Sequence, residues 1–201
     1  EMWKEDLNEI VSWDKISHIS LYSLTIEENS VFGKRNRKTV ENEVEALMYD
    51  CAIEILEKHG FIQYEIANFA RAGKESMHNQ VYWEYDDFYG IGIGASGKEE
   101  GKRYDYIGSI KQYVNHEEKI NVEVLSEMDQ IFENIMMSLR MRKGLNLKKF
   151  ESRYKKEIQS IYKQEIEEEI SAGNLIFENG YLKATKKGMF YLHDILIKFL
   201  R

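Results

Sequence analysis

His18-Ile19-Ser20-Leu21-Tyr22-Ser23-Leu24-Thr25 places apolar residues at alternate positions and is rich in β-prone types, the pattern of a half-buried strand. Downstream, Val44, Leu47, Met48, Cys51, Ile55 and Leu56 recur at helical spacing until His59-Gly60, with glycine in the usual C-terminal position. Phe61-Ile62-Gln63-Tyr64-Glu65-Ile66 then reads as a second strand. A helix between two strands with tight connections predicts a βαβ unit and a parallel sheet. The strands are too few to close a barrel, so the expectation for residues 1–116 is an incomplete α/β barrel.

The reading extends outward from there. Trp3, Leu7, Ile10 and Val11 share one face of an opening helix. The chain starts Glu1-Met2-Trp3-Lys4, without methionine in first place, and a fragment of a longer protein is expected. Residues 117–201 change style. Leu125, Met128, Ile131, Phe132, Ile135, Met136 and Leu139 predict a long amphipathic helix stopped by Gly144. A short helix from Leu147 to Tyr154 and a third from Glu157 to Ser171 follow. Leu175-Ile176-Phe177 and Tyr181-Leu182-Lys183 flank Asn179-Gly180, the signature of a two-residue hairpin turn. Thr185 caps a final helix carrying Met189, Leu192, Ile195, Leu196 and Phe199. Three helices and a hairpin predict a winged-helix-like α+β domain over 117–201.

Composition narrows the function. The 201 residues are 43 % hydrophobic and 31 % charged, enough apolar material for a core. The net charge of −7 argues against a general polyanion binder, and the acidic excess lies before residue 117. The third helix, which would enter a DNA groove, carries Glu165, Glu167, Glu168 and Glu169; phosphate would repel it, so no DNA partner is expected. No apolar run of about 18 residues is present, nor a basic-then-apolar leader, and a cytoplasmic location is the default. Cys51 is the sole cysteine, so neither an internal disulfide nor a multi-thiolate metal site can form. On the apolar face of its helix it is expected to be a buried, inert thiol.

Two motifs invite chemistry. Gly92-x-Gly94-x-x-Gly97 has dinucleotide-loop spacing, but Gly101 falls where the required helix should propagate, which favours a glycine-rich strand end. His78-Asn79-Gln80-Val81-Tyr82-Trp83, if helical, sets His78 and Tyr82 on one face. A neutral imidazole is a good iron ligand and aromatic faces suit a flat tetrapyrrole, while a packed hinge histidine is the plainer reading. Tyr22, Ser23 and Thr25 end the first strand, where α/β folds place ligand contacts.

Taken together, these blocks resemble HemN/HemW-type radical SAM proteins. Ser17 to Glu27 is similar to a late barrel strand of that family, and Gly60 to Ala70 to its following strand and loop. Gly73-Lys74-Glu75-Ser76-Met77-His78-Asn79-Gln80-Val81-Tyr82-Trp83 matches the next block, Tyr89 to Arg103 the glycine-rich one, and the helices and hairpin its C-terminal domain. The resemblance covers nearly the whole chain. It implies a C-terminal portion of such a protein: late elements of an incomplete radical SAM barrel, then the C-terminal domain. His78, Asn79, Tyr82 and Trp83 match the HNxxYW signature of the HemW-type branch, whose members are understood as haem chaperones. His78 is thereby the candidate iron ligand, with Asn79, Tyr82 and Trp83 about the haem.

The alternative branch comprises oxygen-independent coproporphyrinogen III oxidases, which decarboxylate a porphyrinogen with SAM-derived radicals. The resemblance puts Thr25 at a late-strand SAM contact and Ser96 near a second SAM position of the oxidase branch. The CxxxCxxC motif that holds the family's 4Fe–4S cluster is absent, so SAM and cluster are expected in a full-length parent and this chain is expected to be inert. Relatives read Ala-Lys-Pro-Gly where this chain has Ala70-Arg71-Ala72-Gly73, a loop expected to be looser without proline. Expected partners are haem or a porphyrinogen, the N-terminal barrel half, a haemoprotein client or a membrane surface, and a second copy through exposed strand edges.

Overall fold

A computed structural model describes residues 1–200. The chain divides into two compact units, Glu1–Ser76 and Met77–Arg201. In the first, α1 (Met2–Val11), β1 (His18–Ser20), α2 (Val31–Lys34), α3 (Asn42–Lys58), β2 (Ile62–Gln63) and β3 (Asn68–Ala70) follow in order. The core is Leu7 and Val11 of α1, Ala52 and Leu56 of α3, and Phe61 and Phe69. The α1 periodicity therefore points where the sequence said. On α3 the buried edge is Ala52 and Leu56, whereas Val44 and Leu47 are exposed and Cys51 is half-buried. The apolar arc of α3 is wider than the surface covering it, so the expected burial of Cys51 is not realised.

The sheet corrects the βαβ expectation. Its order is β1-β3-β2 with both pairings antiparallel, so β1 and β2 run parallel but are separated by β3. The second strand ends early because Glu65 turns inward. Its buried carboxylate accepts from the Ala67 N–H at 3.1 Å and from the Asn68 side-chain amide. Tyr64 N–H closes the bend onto Asn68 O at 3.1 Å, returning the chain as β3. β1 stops at Ser20, leaving Tyr22, Ser23 and Thr25 in an exposed loop. The 70–73 loop closes through Lys74 N–H to Arg71 O at 2.9 Å, with Gly73 at φ 73°. Arg71 pins it, its guanidinium 4.4 Å from the Phe61 ring centroid and donating to Ile16 O and His59 O.

The second unit begins with α4 (Met77–Trp83). A meander follows: β4 (Ser96–Glu99), β5 (Lys102–Ile107), α5 (Ile110–Val114) and β6 (Lys119–Val124), paired antiparallel in the order β4-β5-β6. Gly97 lies in β4 under the Tyr104 ring, where a Cβ would come within 2.1 Å of the ring, so the glycine spacing serves strand packing and opens no helix. The remainder is α6 (Glu127–Ser138), β7 (Leu145–Asn146), α7 (Leu147–Tyr154), α8 (Ile158–Ile161), α9 (Lys163–Ser171), β8 (Leu175–Glu178), β9 (Tyr181–Ala184), α10 (Lys186–Phe190) and α11 (Leu192–Ile197).

Ser126 and Asp129 cap α6 reciprocally, and Ile131, Ile135 and Leu139 pack with Phe150, Tyr162, Ile166, Leu182 and Phe199 in one core. Asn179 and Gly180 both take positive φ, 52° and 82°, as the hairpin turn requires, and Thr185 caps α10 through the Gly188 N–H at 3.0 Å. The single helix expected over 157–171 breaks at Tyr162 (φ −127°), whose ring is buried 5.1 Å from that of Phe199. Glu169 is not a solvated carboxylate: it is buried, bonded to Asn174 Nδ2 at 2.7 Å and Lys198 Nζ at 2.5 Å. Among the described residues no helix is long and apolar enough to cross a membrane.

Candidate functional site

The four residues of the HNxxYW block lie on α4, as the periodicity predicts. His78 is exposed, and its ring meets that of Tyr82 edge-on, centroids 5.0 Å apart. Tyr82 meets Phe88 at 4.5 Å, extending the aromatic surface. Trp83 is half-buried; Arg140 lies 5.7 Å from its ring centroid, and its indole Nε1 is buried without a hydrogen-bond partner. Asn79 is half-buried on the same helix.

The C-terminal end of α4 is fixed by a polar network that periodicity could not show. The single Ser138 Oγ–H is shared between Asn134 Oδ1 at 3.1 Å and Trp83 O at 3.3 Å. Asn134 Nδ2 donates to Tyr154 Oη at 3.3 Å, and Tyr154 Oη donates to Gln130 O at 3.0 Å. Beyond Trp83, each of the next four residues is clamped. Glu84 pairs with Lys143 and, at 2.9 Å, with Lys149; Asp86 pairs with Lys149 at 2.7 Å and Arg153 at 2.9 Å; Asp87 pairs with Lys98 at 3.0 Å. Burial alone would raise the Glu84 carboxyl, but the bonds from Lys143 and Lys149 outweigh it and the net shift is downward. Asp87 is lowered in the same way by Lys98.

Tyr85 sits among these charges in a left-handed conformation (φ 58°), which is rare for a bulky residue. Its hydroxyl donates to Glu133 Oε2 at 2.8 Å and Lys98 Nζ lies 4.0 Å from its ring centroid. Burial, then the Glu133 bond, pushes its phenol far above the ordinary range, so it stays neutral. Tyr85, Asn134 and Ser138 are the supporting residues missed from sequence. The run Glu84-Tyr85-Asp86-Asp87 was the only signal for Tyr85, and nothing local marked Asn134 or Ser138.

Thr25 and Ser96 belong to different units. Thr25 is exposed and lines a broad depression of about 930 Å³ with Leu24, Ile26, Arg37, Lys38 and Glu41. Ser96, also exposed, donates to Asp105 Oδ1 at 2.5 Å. Behind α4, a cavity of about 40 Å³ lined by Glu84, Asn134, Ser138, Lys143 and Tyr181 has room for a water or two and none for a macrocycle. A flat ligand bound at α4 would therefore lie on its open face and not in the cavity behind it. Among the described residues no three His, Cys, Asp or Glu side chains gather as a metal site, whereas a haem iron, already held by its macrocycle, takes single axial side chains. An exposed imidazole beside two aromatic rings fits that group.

Comparison with known proteins agrees with this layout. The fold is that of the C-terminal half of a radical SAM enzyme: the structure titled "Coproporphyrinogen III oxidase (HemN) from Escherichia coli is a Radical SAM enzyme" matches with a TM-score of 0.73. The match has 14 % identity and covers 96 % of this chain and 50 % of that one. The HemN C-terminal domain family matches residues 125–191. "Heme chaperone HemW" of Lactococcus lactis subsp. lactis is 36 % identical over 207 residues, covering 100 % of this chain and 54 % of the relative. "Heme chaperone HemW" of Bacillus subtilis is 30 % identical over 207 residues, covering 98 % and 54 %. This chain corresponds to the C-terminal portion of a HemN/HemW-type protein, and it spans about half the length of the curated relatives it matches.

Proposed function

We propose that this chain is the haem-binding C-terminal portion of a HemW-like chaperone, which takes up haem and passes it to haemoprotein clients. The observation that carries the reading is the exposed His78 imidazole on α4, edge-on to Tyr82, which in turn meets Phe88. His78 would ligate the iron through a ring nitrogen. Tyr82 and Phe88 would face the macrocycle and Asn79 would offer a polar contact, while the half-buried Trp83, its Nε1 turned inside, would back the helix. Bound haem supplies the iron and the cargo; the protein orients the plane and presents it to solvent for transfer. The chaperone name of the curated relatives favours this branch over the oxidase.

Within the same reading, the first unit supplies late elements of a barrel completed by an N-terminal half that would hold the cluster and SAM, with Thr25 as a late-strand SAM contact; Ser96 would bear on a second SAM only in the oxidase alternative. The α6–β9 region acts as a winged-helix-like packing module. On α9, Glu169 turns inward to Lys198, while the exposed carboxylates of Glu167 and Glu168 would repel a phosphate backbone. Titrating the chain with haem tests the reading. A Soret shift is expected, and His78→Ala should weaken binding at least about tenfold, the loss of one coordinate bond. Tyr82→Ala should broaden the band and keep the shift. A His78→Ala titration superimposable on the parent's would remove His78 from the role.

A further inference from the structure

The cations around α4 are neutralised, with one exception. Lys98 faces Asp87, Lys143 faces Glu84, Lys149 faces Glu84 and Asp86, and Arg153 faces Asp86. Arg140 follows α6 in the same unit, half-buried, with its guanidinium carbon 5.7 Å from the Trp83 ring centroid. Among the described residues no carboxylate pairs with it and no acceptor takes its side-chain N–H groups. A ring face attracts a cation but accepts no strong hydrogen bond, so the guanidinium fork is left for an incoming group.

Helical spacing shows where that group would come from. At about 100° per residue, Tyr82 lies about 40° round α4 from His78, Trp83 about 140°, Gln80 about 200° and Glu84 about 240°. The far side is occupied: Lys143 Nζ donates to Gln80 Oε1 at 3.0 Å and pairs with Glu84. Trp83, and Arg140 with it, stands on the flank next to Tyr82. Apart from His78, α4 itself carries no ionisable cation. Haem is an apolar plate with a pair of propionate carboxylates on one edge, and the aromatic surface of α4 offers those carboxylates nothing. We propose that Arg140 binds a propionate of haem seated over His78 and Tyr82, and so fixes which edge of the plate turns toward α6. The inference rests on the haem-binding reading of His78. A planar fork matches a carboxylate through paired N–H bonds, which a lysine in its place would not reproduce.

Iron ligation by His78 is indifferent to esterification of the propionates, so the contributions separate. The full chain is titrated with haem and with haem dimethyl ester, whose side chains are uncharged, and the Soret band is read. The parent should bind haem at least about fivefold more tightly than the ester, the low end for a charge-assisted hydrogen bond at a part-exposed site. Arg140→Ala and Arg140→Gln should each bring haem down to the affinity of the ester and leave the ester unaffected. Arg140→Lys should restore part of the preference. His78→Ala should weaken both ligands by one factor and keep their ratio. Added salt should shrink the preference of the parent and leave Arg140→Gln unchanged. A parent that shifts the Soret band without preferring haem to its ester would overturn the role of Arg140 alone. So would Arg140 variants that weaken haem and ester alike, the signature of lost packing on Trp83. A parent that shifts neither ligand's band would remove the haem reading and this inference together.

Discussion

Replacing Asn134 by aspartate tests how α4 is held. Asn134 is 3 % exposed; its amide donates to Tyr154 Oη and its carbonyl shares the Ser138 Oγ–H with Trp83 O. Tyr154 already donates to Gln130 O, so the aspartate would turn an acceptor lone pair toward an acceptor. An ionised carboxylate at this depth, with Glu133 adjacent in sequence, has one donor left, Ser138. Desolvation should raise the new carboxyl by about 2 units, equivalent to about 2.7 kcal/mol of lost stability where it must ionise. The sign follows: a folded pKa above the unfolded value of about 3.9 costs stability above the folded pKa, and the cost fades as pH falls to the unfolded value.

Urea unfolding of Asn134→Asp should therefore show a deficit of about 2–3 kcal/mol at pH 7.5 that narrows to under about 1 at pH 4.5, relative to the parent at each pH. Protonated, the new side chain offers an O–H toward Tyr154 and restores the network. A variant as stable as the parent at pH 7.5, or one whose deficit widens on acidification, would refute the account of the network.

Other consequences are equally direct. Glu169→Gln should destabilise the second unit at neutral pH, since burial raises that carboxyl but the Lys198 and Asn174 bonds outweigh it and hold it below its ordinary value. The contribution is present above the unfolded pKa and lost as pH falls through the folded one, so parent and variant unfolding curves should converge in acid. Gly144→Ala should cost about 3 kcal/mol by chemical denaturation, because Gly144 has φ 74° and a Cβ would stand 2.2 Å from Leu182 O, forcing β7 from β9.

In the second unit α6 and α7 were legible from their one-sided apolar stripes, α10 from its Thr185 cap, and the β8–β9 turn from Asn179-Gly180, whereas the single helices expected over 157–171 and after Thr185 each divide in two, at Tyr162 and Tyr191. The meander was not legible. β5 and β6 alternate, but Tyr104, Lys102 and Ser96 do not stand out from a loop until Gly97 is seen beneath a tyrosine ring. In the candidate site, the spacing of His78 and Tyr82 was enough to put them on one helix face. Their support was invisible, because Ser138 and Asn134 lie some 50 residues away in sequence and polar residues on an amphipathic helix look solvated.

By itself the sequence determined the helices with a one-sided apolar stripe, α1, α3, α6 and α7, the Thr185 cap and the Asn179-Gly180 turn, and that an imidazole and two aromatic rings would share one helix over 78–83, since all of these follow from neighbours within a few residues. Tertiary structure alone decided the rest: that β3 inserts between β1 and β2, that Glu65 and Glu169 turn inward, that Tyr85 is held neutral among cations, and that β6 is left as an open edge. Each depends on which distant backbone or charge comes to lie alongside. Periodicity encodes the direction of a side chain and carries nothing about what it will meet.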